Sequence, residues 1–195
     1  MNVWKVLKTA FQQWKKEEPI KKEKVVSKPA KMPIVDYYIT KHFRFFEMTE
    51  TSHRDLLKHN RNEKAVKLAR KAGRDLCQML EKIRAYKNQS IHVSSGYRSP
   101  ELNTAISGSK TSQHMKFEAA DIWMSGVPLG ELFNWIWKES NLEFGQLILE
   151  GYTSGQPTWI HISLGYPYRP KDKCGQVYKA SKEDGKWVYK RLDLE

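Results

Sequence analysis

Residues 112–124 read Ser112-Gln113-His114-Met115-Lys116-Phe117-Glu118-Ala119-Ala120-Asp121-Ile122-Trp123-Met124. The last six form a short apolar run, the pattern of a buried strand, interrupted by one carboxylate. A carboxylate there is expensive to bury unless it is paired or bound to a cation. Ala119 and Ala120 leave room for another element to approach closely. His114 lies seven residues before Asp121. His161 presents the same oddity in the middle of a second apolar strand, Trp159-Ile160-His161-Ile162-Ser163.

Outward from this stretch, other elements follow from periodicity. Between Glu63 and Lys87, Ala65, Ala69, Ala72, Leu76, Leu80 and Ile83 recur at helical spacing, which predicts one long helix capped by Asn60 or Asn62. Cys77 falls on or beside that stripe and reads as a buried thiol. A strand over Ile91–Ser94 follows, then a turn at Gly96, Ser99 and Pro100 and a short helix over Glu101–Ile106. Beyond the strand Ala119–Met124, an amphipathic helix is predicted from about Pro128 to Ser140. Strands Gln146–Glu150 and Trp159–Leu164 come next, separated by a Gly/Ser/Pro loop. Gln176–Ser181 and Lys186–Leu192 flank Asp184-Gly185 as a closing hairpin. Helices segregated from short strands, with little βαβ alternation, predict an α+β fold with a small antiparallel sheet and helices packed on it.

The chain of 195 residues supports one core, with a net charge of +12. Half of that charge lies in residues 1–32, which hold nine Lys and three Glu. Trp4, Leu7, Phe11 and Trp14 define one stripe of an N-terminal amphipathic helix over 1–14, able to pack on the main domain or to dock on a membrane surface or another protein. Residues 15–33 are rich in Lys and Pro, lack aromatics and read as a linker. The globular domain is expected over 34–195. Two cysteines, Cys77 and Cys174, exclude a disulfide scaffold and a cysteine-built zinc site. No transmembrane segment is expected, and Lys5, Lys8, Lys15 and Lys16 interrupt any signal-peptide core. With the basic excess concentrated in residues 1–32 and no recognition motif beside it, no specific nucleic acid is expected as a partner.

Of six histidines, His42, His53, His59 and His92 lack a ligand partner at a telling distance. His114, Asp121 and His161 together supply two imidazoles and one carboxylate. Three protein ligands leave one zinc position for water, the composition of a catalytic site. From spacing alone, an Asp–His ion pair inside the core satisfies the same groups.

Three motifs occur in order: Ser94-Ser95-Gly96-Tyr97-Arg98-Ser99-Pro100-Glu101-Leu102-Asn103, then Ser112-Gln113-His114 with Ala119-Ala120-Asp121, then Trp159-Ile160-His161-Ile162-Ser163. Together they resemble the zinc D-alanyl-D-alanine carboxypeptidases, a family that includes phage endolysin peptidases and shares its fold with the Hedgehog signalling domain. The similarity runs from about His42-Phe43 to Leu164, and Asn103–His114 is close to the phage-type branch. The resemblance implies one zinc ion held by His114, Asp121 and His161. It implies that Arg98 binds or polarises the substrate carbonyl and steadies the oxyanion, and that Ser112 contacts substrate. Three positions depart from the family pattern. Phe117 replaces a Gly, and since Phe resists φ > 0 the loop is expected to differ in shape. Gly145 follows Phe144 where an acid is common nearby. Thr158 stands three residues before His161, where many relatives place an acid or His. A hydrolase needs a proton acceptor, and Glu150 becomes the candidate general base if its strand pairs with Trp159–Leu164 in the right register.

The function expected is that of a zinc metallopeptidase hydrolysing the peptidoglycan stem peptide. The alternative is a non-catalytic wall-binding or virion assembly module that keeps the fold and metal site. A virion or other protein partner is expected through residues 1–32, and location in a phage virion, or in the host cytoplasm until lysis.

Overall fold

The computed structural model of the chain describes residues 33–151 and 156–193. The helix expected over 1–14 and nearly all of the expected linker lie outside the described residues. Six helices are labelled α1 (Phe45–Met48), α2 (Leu57–Asn60), α3 (Glu63–Ala69), α4 (Ala72–Lys87), α5 (Pro100–Ala105) and α6 (Leu129–Lys138). Six strands are β1 (Ile91–Ser95), β2 (Ala119–Met124), β3 (Phe144–Glu150), β4 (Trp159–Leu164), β5 (Gln176–Glu183) and β6 (Lys186–Leu192). They form one sheet in the order β1-β2-β4-β3-β5-β6, antiparallel except for the parallel β3–β5 junction. The fold is α+β.

Alternation divides the sheet into two faces. Ala120, Ile122, Ile160, Ile162, Leu147, Leu149 and Val177 point to the core, where α4 and α6 contribute Leu76, Leu80, Ile83, Leu132, Phe133 and Ile136. Each of these side chains except that of Ala120 contributes about 1.5–3 kcal/mol by leaving water. The opposite face carries Asp121, His161, Ile148 and Glu150, because Asp121 pairs with His161, His161 with Ile148, and Glu150 with Trp159. No helix of the described residues is long and apolar enough to cross a membrane.

Two expectations change. The long helix over 63–87 is two helices, broken where Lys71 leaves the helical region at φ −120°, ψ −102°. The apolar stripe survives the break, and Ala65, Ala69, Ala72, Leu76, Leu80 and Ile83 are all buried. Two residues past the break, Gly73 lies under the ring of Phe117, where a methyl group would stand 2.8 Å from Cδ1. Asn62 caps α3 by accepting from Ala65 N–H at 2.8 Å. Asn60 is instead fully buried and ties loops together.

Phe117 also departs from expectation. It adopts the left-handed conformation that a glycine would supply, at φ 64°, ψ 26°. Local strain of order 1–2 kcal/mol is outweighed by burial: the ring is wholly enclosed and stacks on Tyr97 at 5.4 Å. The turn therefore keeps the backbone shape that a glycine there would give.

Candidate active site

The site is built from a loop, a turn and three strands. Ser95–Ser99 is held from below. Tyr97 N–H donates to Met48 O at 2.8 Å, and Ser99 N–H donates to Asn60 Oδ1 at 2.7 Å. Asn60 Nδ2 donates in return to Tyr97 O at 2.9 Å and to Thr49 O at 3.2 Å. Arg98 sits between these anchors, and its own N–H donates to His114 O at 3.1 Å. The 3-10 turn Gln113–Lys116 carries His114 and is tied to the sheet by Gln113 Nε2, which donates to Ser163 Oγ at 2.9 Å.

Three atoms then converge. His114 Nε2, Asp121 Oδ1 and His161 Nδ1 are separated by 3.3 Å (His114–Asp121), 3.2 Å (His114–His161) and 2.9 Å (His161–Asp121). All three residues are buried. His114 Nδ1 lies 2.7 Å from Gly96 O, which can only accept, so Nδ1 carries the proton and neutral His114 turns a lone pair inward at Nε2. Burial pushes the His114 pKa down and keeps the ring neutral. Burial alone would raise the Asp121 carboxyl, but its polar and charged neighbours, His161 and the Arg98 guanidinium among them, outweigh it and hold the group below the usual range. Arg98 Nη2 donates to Asp121 Oδ2 at 2.5 Å, leaving Oδ1 for the centre.

These donors fit a metal ion. With its proton, His161 Nδ1 donates to Asp121; without it, all three atoms present lone pairs to one point. A tetrahedral zinc with bonds of about 2.0–2.1 Å sets its ligands about 3.3 Å apart, close to the distances found. The buried group could hold a metal, and Arg98 orients its carboxylate as an outer partner.

The remaining expected residues line the same cleft of about 1170 Å³. Glu150 is one of them, and its Oε1 accepts from Trp159 Nε1 at 3.0 Å. Burial, followed by the charge of Asp121, raises its pKa. Ser112 lines the cleft from the turn before His114. Arg98 Nε donates to Ser95 Oγ at 2.7 Å, and Nη1 has no partner among the described residues. Thr158 is not in the cleft lining; its hydroxyl donates to Gly151 O. Gly145 is explained by packing, since a Cβ there would lie 2.6 Å from Arg169 Cδ. Cys77 is buried and its thiol is pushed up by that burial, so it plays no part here. Tyr178, Trp187 and Tyr189 also line the cleft and escaped the sequence reading. The alternation of β5 and β6 carried the signal, but only the strand register gives its direction.

A family model described as Peptidase M15 matches residues 47–163. The chain belongs to this family of zinc-dependent peptidases, and the matched stretch contains His114, Asp121 and His161 together with Arg98, Ser112 and Glu150. No curated protein matches the chain closely enough to count as a relative.

Proposed function

We propose that this protein hydrolyses a peptide bond of the bacterial peptidoglycan stem peptide, in the manner of a D-alanyl-D-alanine carboxypeptidase or an endolysin. His114, Asp121 and His161 hold one zinc ion, Glu150 is the general base, and Arg98 and Ser112 bind substrate. The observation that carries this reading is the convergence of three buried donor atoms within 3.3 Å of one another beside Glu150 in an open cleft.

Zinc supplies Lewis acidity here, polarising a carbonyl and making water nucleophilic near neutral pH. The protein does the rest. Neutral His114 and ionised Asp121 present lone pairs without having to shed protons. Glu150 Oε1 is fixed by Trp159, so Oε2 accepts the proton of the attacking water and later returns it to the leaving amine. Raising the Glu150 pKa brings it nearer the proton it must take. Arg98 Nη1 is free to meet charge developing on the carbonyl oxygen, in a partly buried site where such a contact is strong. Residues 1–32 would carry the protein to a virion or other protein partner.

The test is zinc-loaded protein incubated with purified peptidoglycan and with a D-alanyl-D-alanine peptide, followed by product analysis. Release of D-alanine or of a cross-link fragment supports the reading. Stoichiometric zinc with no cleavage of any wall fragment overturns it in favour of a wall-binding or assembly module.

A further inference from the structure

The family match ends at Ser163, and β5 and β6 then widen the sheet by two strands. Register decides what they add to the cleft. Ile148 pairs with Tyr178 across the parallel junction, while Ala180 pairs with Tyr189 and Lys182 with Trp187. Opposed residues share a face, as do residues two apart. Tyr178, Tyr189 and Trp187 therefore stand on the face that carries Asp121, His161 and Glu150, and all three line the same cleft.

Leu149 pairs with Lys179, so one residue further on Glu150 is level with Ala180 and hence with Tyr189. The alanine between them is small and wholly buried, while its partner Tyr189 is 51 % exposed. Tyr189 can thus lean over Ala180 toward Glu150. Its hydroxyl is correspondingly pushed up in pKa by burial and by the charges of Glu150 and Asp121. Trp187 is 41 % exposed, with Lys182 Nζ 5.9 Å from its ring centroid as an exposed neighbour. Three rings on the sheet face opposite the core helices of the described residues, continuous with the donor cluster, are placed to meet a ligand.

We infer that the hairpin is a sugar-binding subsite, in which Tyr178, Tyr189 and Trp187 form a shelf for the amino-sugar rings of the glycan that bears the peptide. This rests on the peptidoglycan reading above. The chemistry favours a sugar. One face of a pyranose presents C–H bonds of slight positive character, which match the negative face of an aromatic ring. An extended peptide would instead seek the unpaired edge of β6 and would not require rings on the face. Spacing agrees as well. Strands lie about 4.8 Å apart, so β6 stands about 10 Å from β3, the span of about three extended residues. A sugar at the head of a short stem peptide reaches the shelf while a bond near its tail lies at Glu150. Lys182 and Arg191, on the same face, supply donors for hydroxyl and acetamido oxygens.

The experiment compares kcat/KM for a disaccharide-linked muropeptide and for the same peptide without sugar, in wild type, Trp187→Ala and Trp187→Phe. The wild type is expected to favour the sugar-bearing substrate. Trp187→Ala should lose about tenfold on it, the order of one stacked ring, and at least about fivefold less on the bare peptide. Trp187→Phe should retain most of the preference. Equal losses on both substrates, or none, overturn the inference. Should the wild type cut neither substrate, the peptidase reading fails separately. The shelf is then judged by calorimetric titration with a tetramer of N-acetylglucosamine: binding weakened about tenfold by Trp187→Ala upholds it, and no binding to the wild type overturns it.

Discussion

The ring of Phe117 crosses the α-carbon of Gly73 so closely that a β-carbon there would stand 2.8 Å from Cδ1. A glycine inside α4 and a phenylalanine at φ 64° are each unfavourable alone, by about 1 and 1–2 kcal/mol. Together they seal the turn that carries His114. Gly73→Ala is therefore expected to destabilise the protein by about 1–3 kcal/mol through overpacking, despite its better helix propensity. The same change in a Phe117→Leu background should cost markedly less. A double-mutant cycle by chemical denaturation reads the coupling, and additive effects would contradict the pairing.

Asp121→Asn should retain the fold and lose the metal, because an amide oxygen without charge is a poor zinc ligand beside two neutral imidazoles. Metal analysis after dialysis checks this. In the wild type, saturating zinc should raise stability by about 4 kcal/mol at a thousandfold excess over Kd, and a chelator should reverse the gain. Thermal unfolding with and without chelator gives the answer. Acid should release the metal, since the inward lone pair of His114 must take a proton as pH falls.

Glu150→Gln should keep zinc and lose about 10²–10⁴-fold in kcat. The pH profile offers a second check. A base works only when ionised, and burial together with the charge of Asp121 raises the Glu150 pKa. Activity should therefore decline on acidification at a pH above the usual carboxylate range. An acid limb unchanged in Glu150→Gln would assign the proton transfer elsewhere.

Asn60→Leu removes three buried hydrogen bonds, to Ser99 N–H, Tyr97 O and Thr49 O. Unsatisfied buried groups of this kind cost about 1–3 kcal/mol each, so a loss of about 3 kcal/mol or more is expected. Because the anchors flank Arg98, kcat should fall further than zinc affinity does in the folded fraction. Parallel measurement of zinc affinity and kcat separates the two effects.

How much of this was legible in the chain differs from residue to residue. Asp121 and His161 stood out because a carboxylate and an imidazole in apolar strands need a reason to be there. Asp184-Gly185 reads directly as a two-residue turn, and both residues take the positive φ, 48° and 78°, that such a turn needs. The break at Lys71 was hidden because alanines continue the helical spacing across it. Phe117 misled because a local preference yielded to burial. The direction of Glu150 depended on a register that passes through an irregularity between Phe144 and Leu147, which no local pattern reveals. The parallel attachment of β5 to β3 joins residues about 30 apart, and nothing near either strand announces it.

That attachment has a consequence for how the molecule can vary. Stripped of β5, strand β3 would present a bare row of amide and carbonyl groups, a template for runaway self-association. The parallel strand acts as a selvedge. Substitutions along the outer β6 can retune what the cleft grips while the woven border stays intact, so selectivity can drift without disturbing the reaction chemistry.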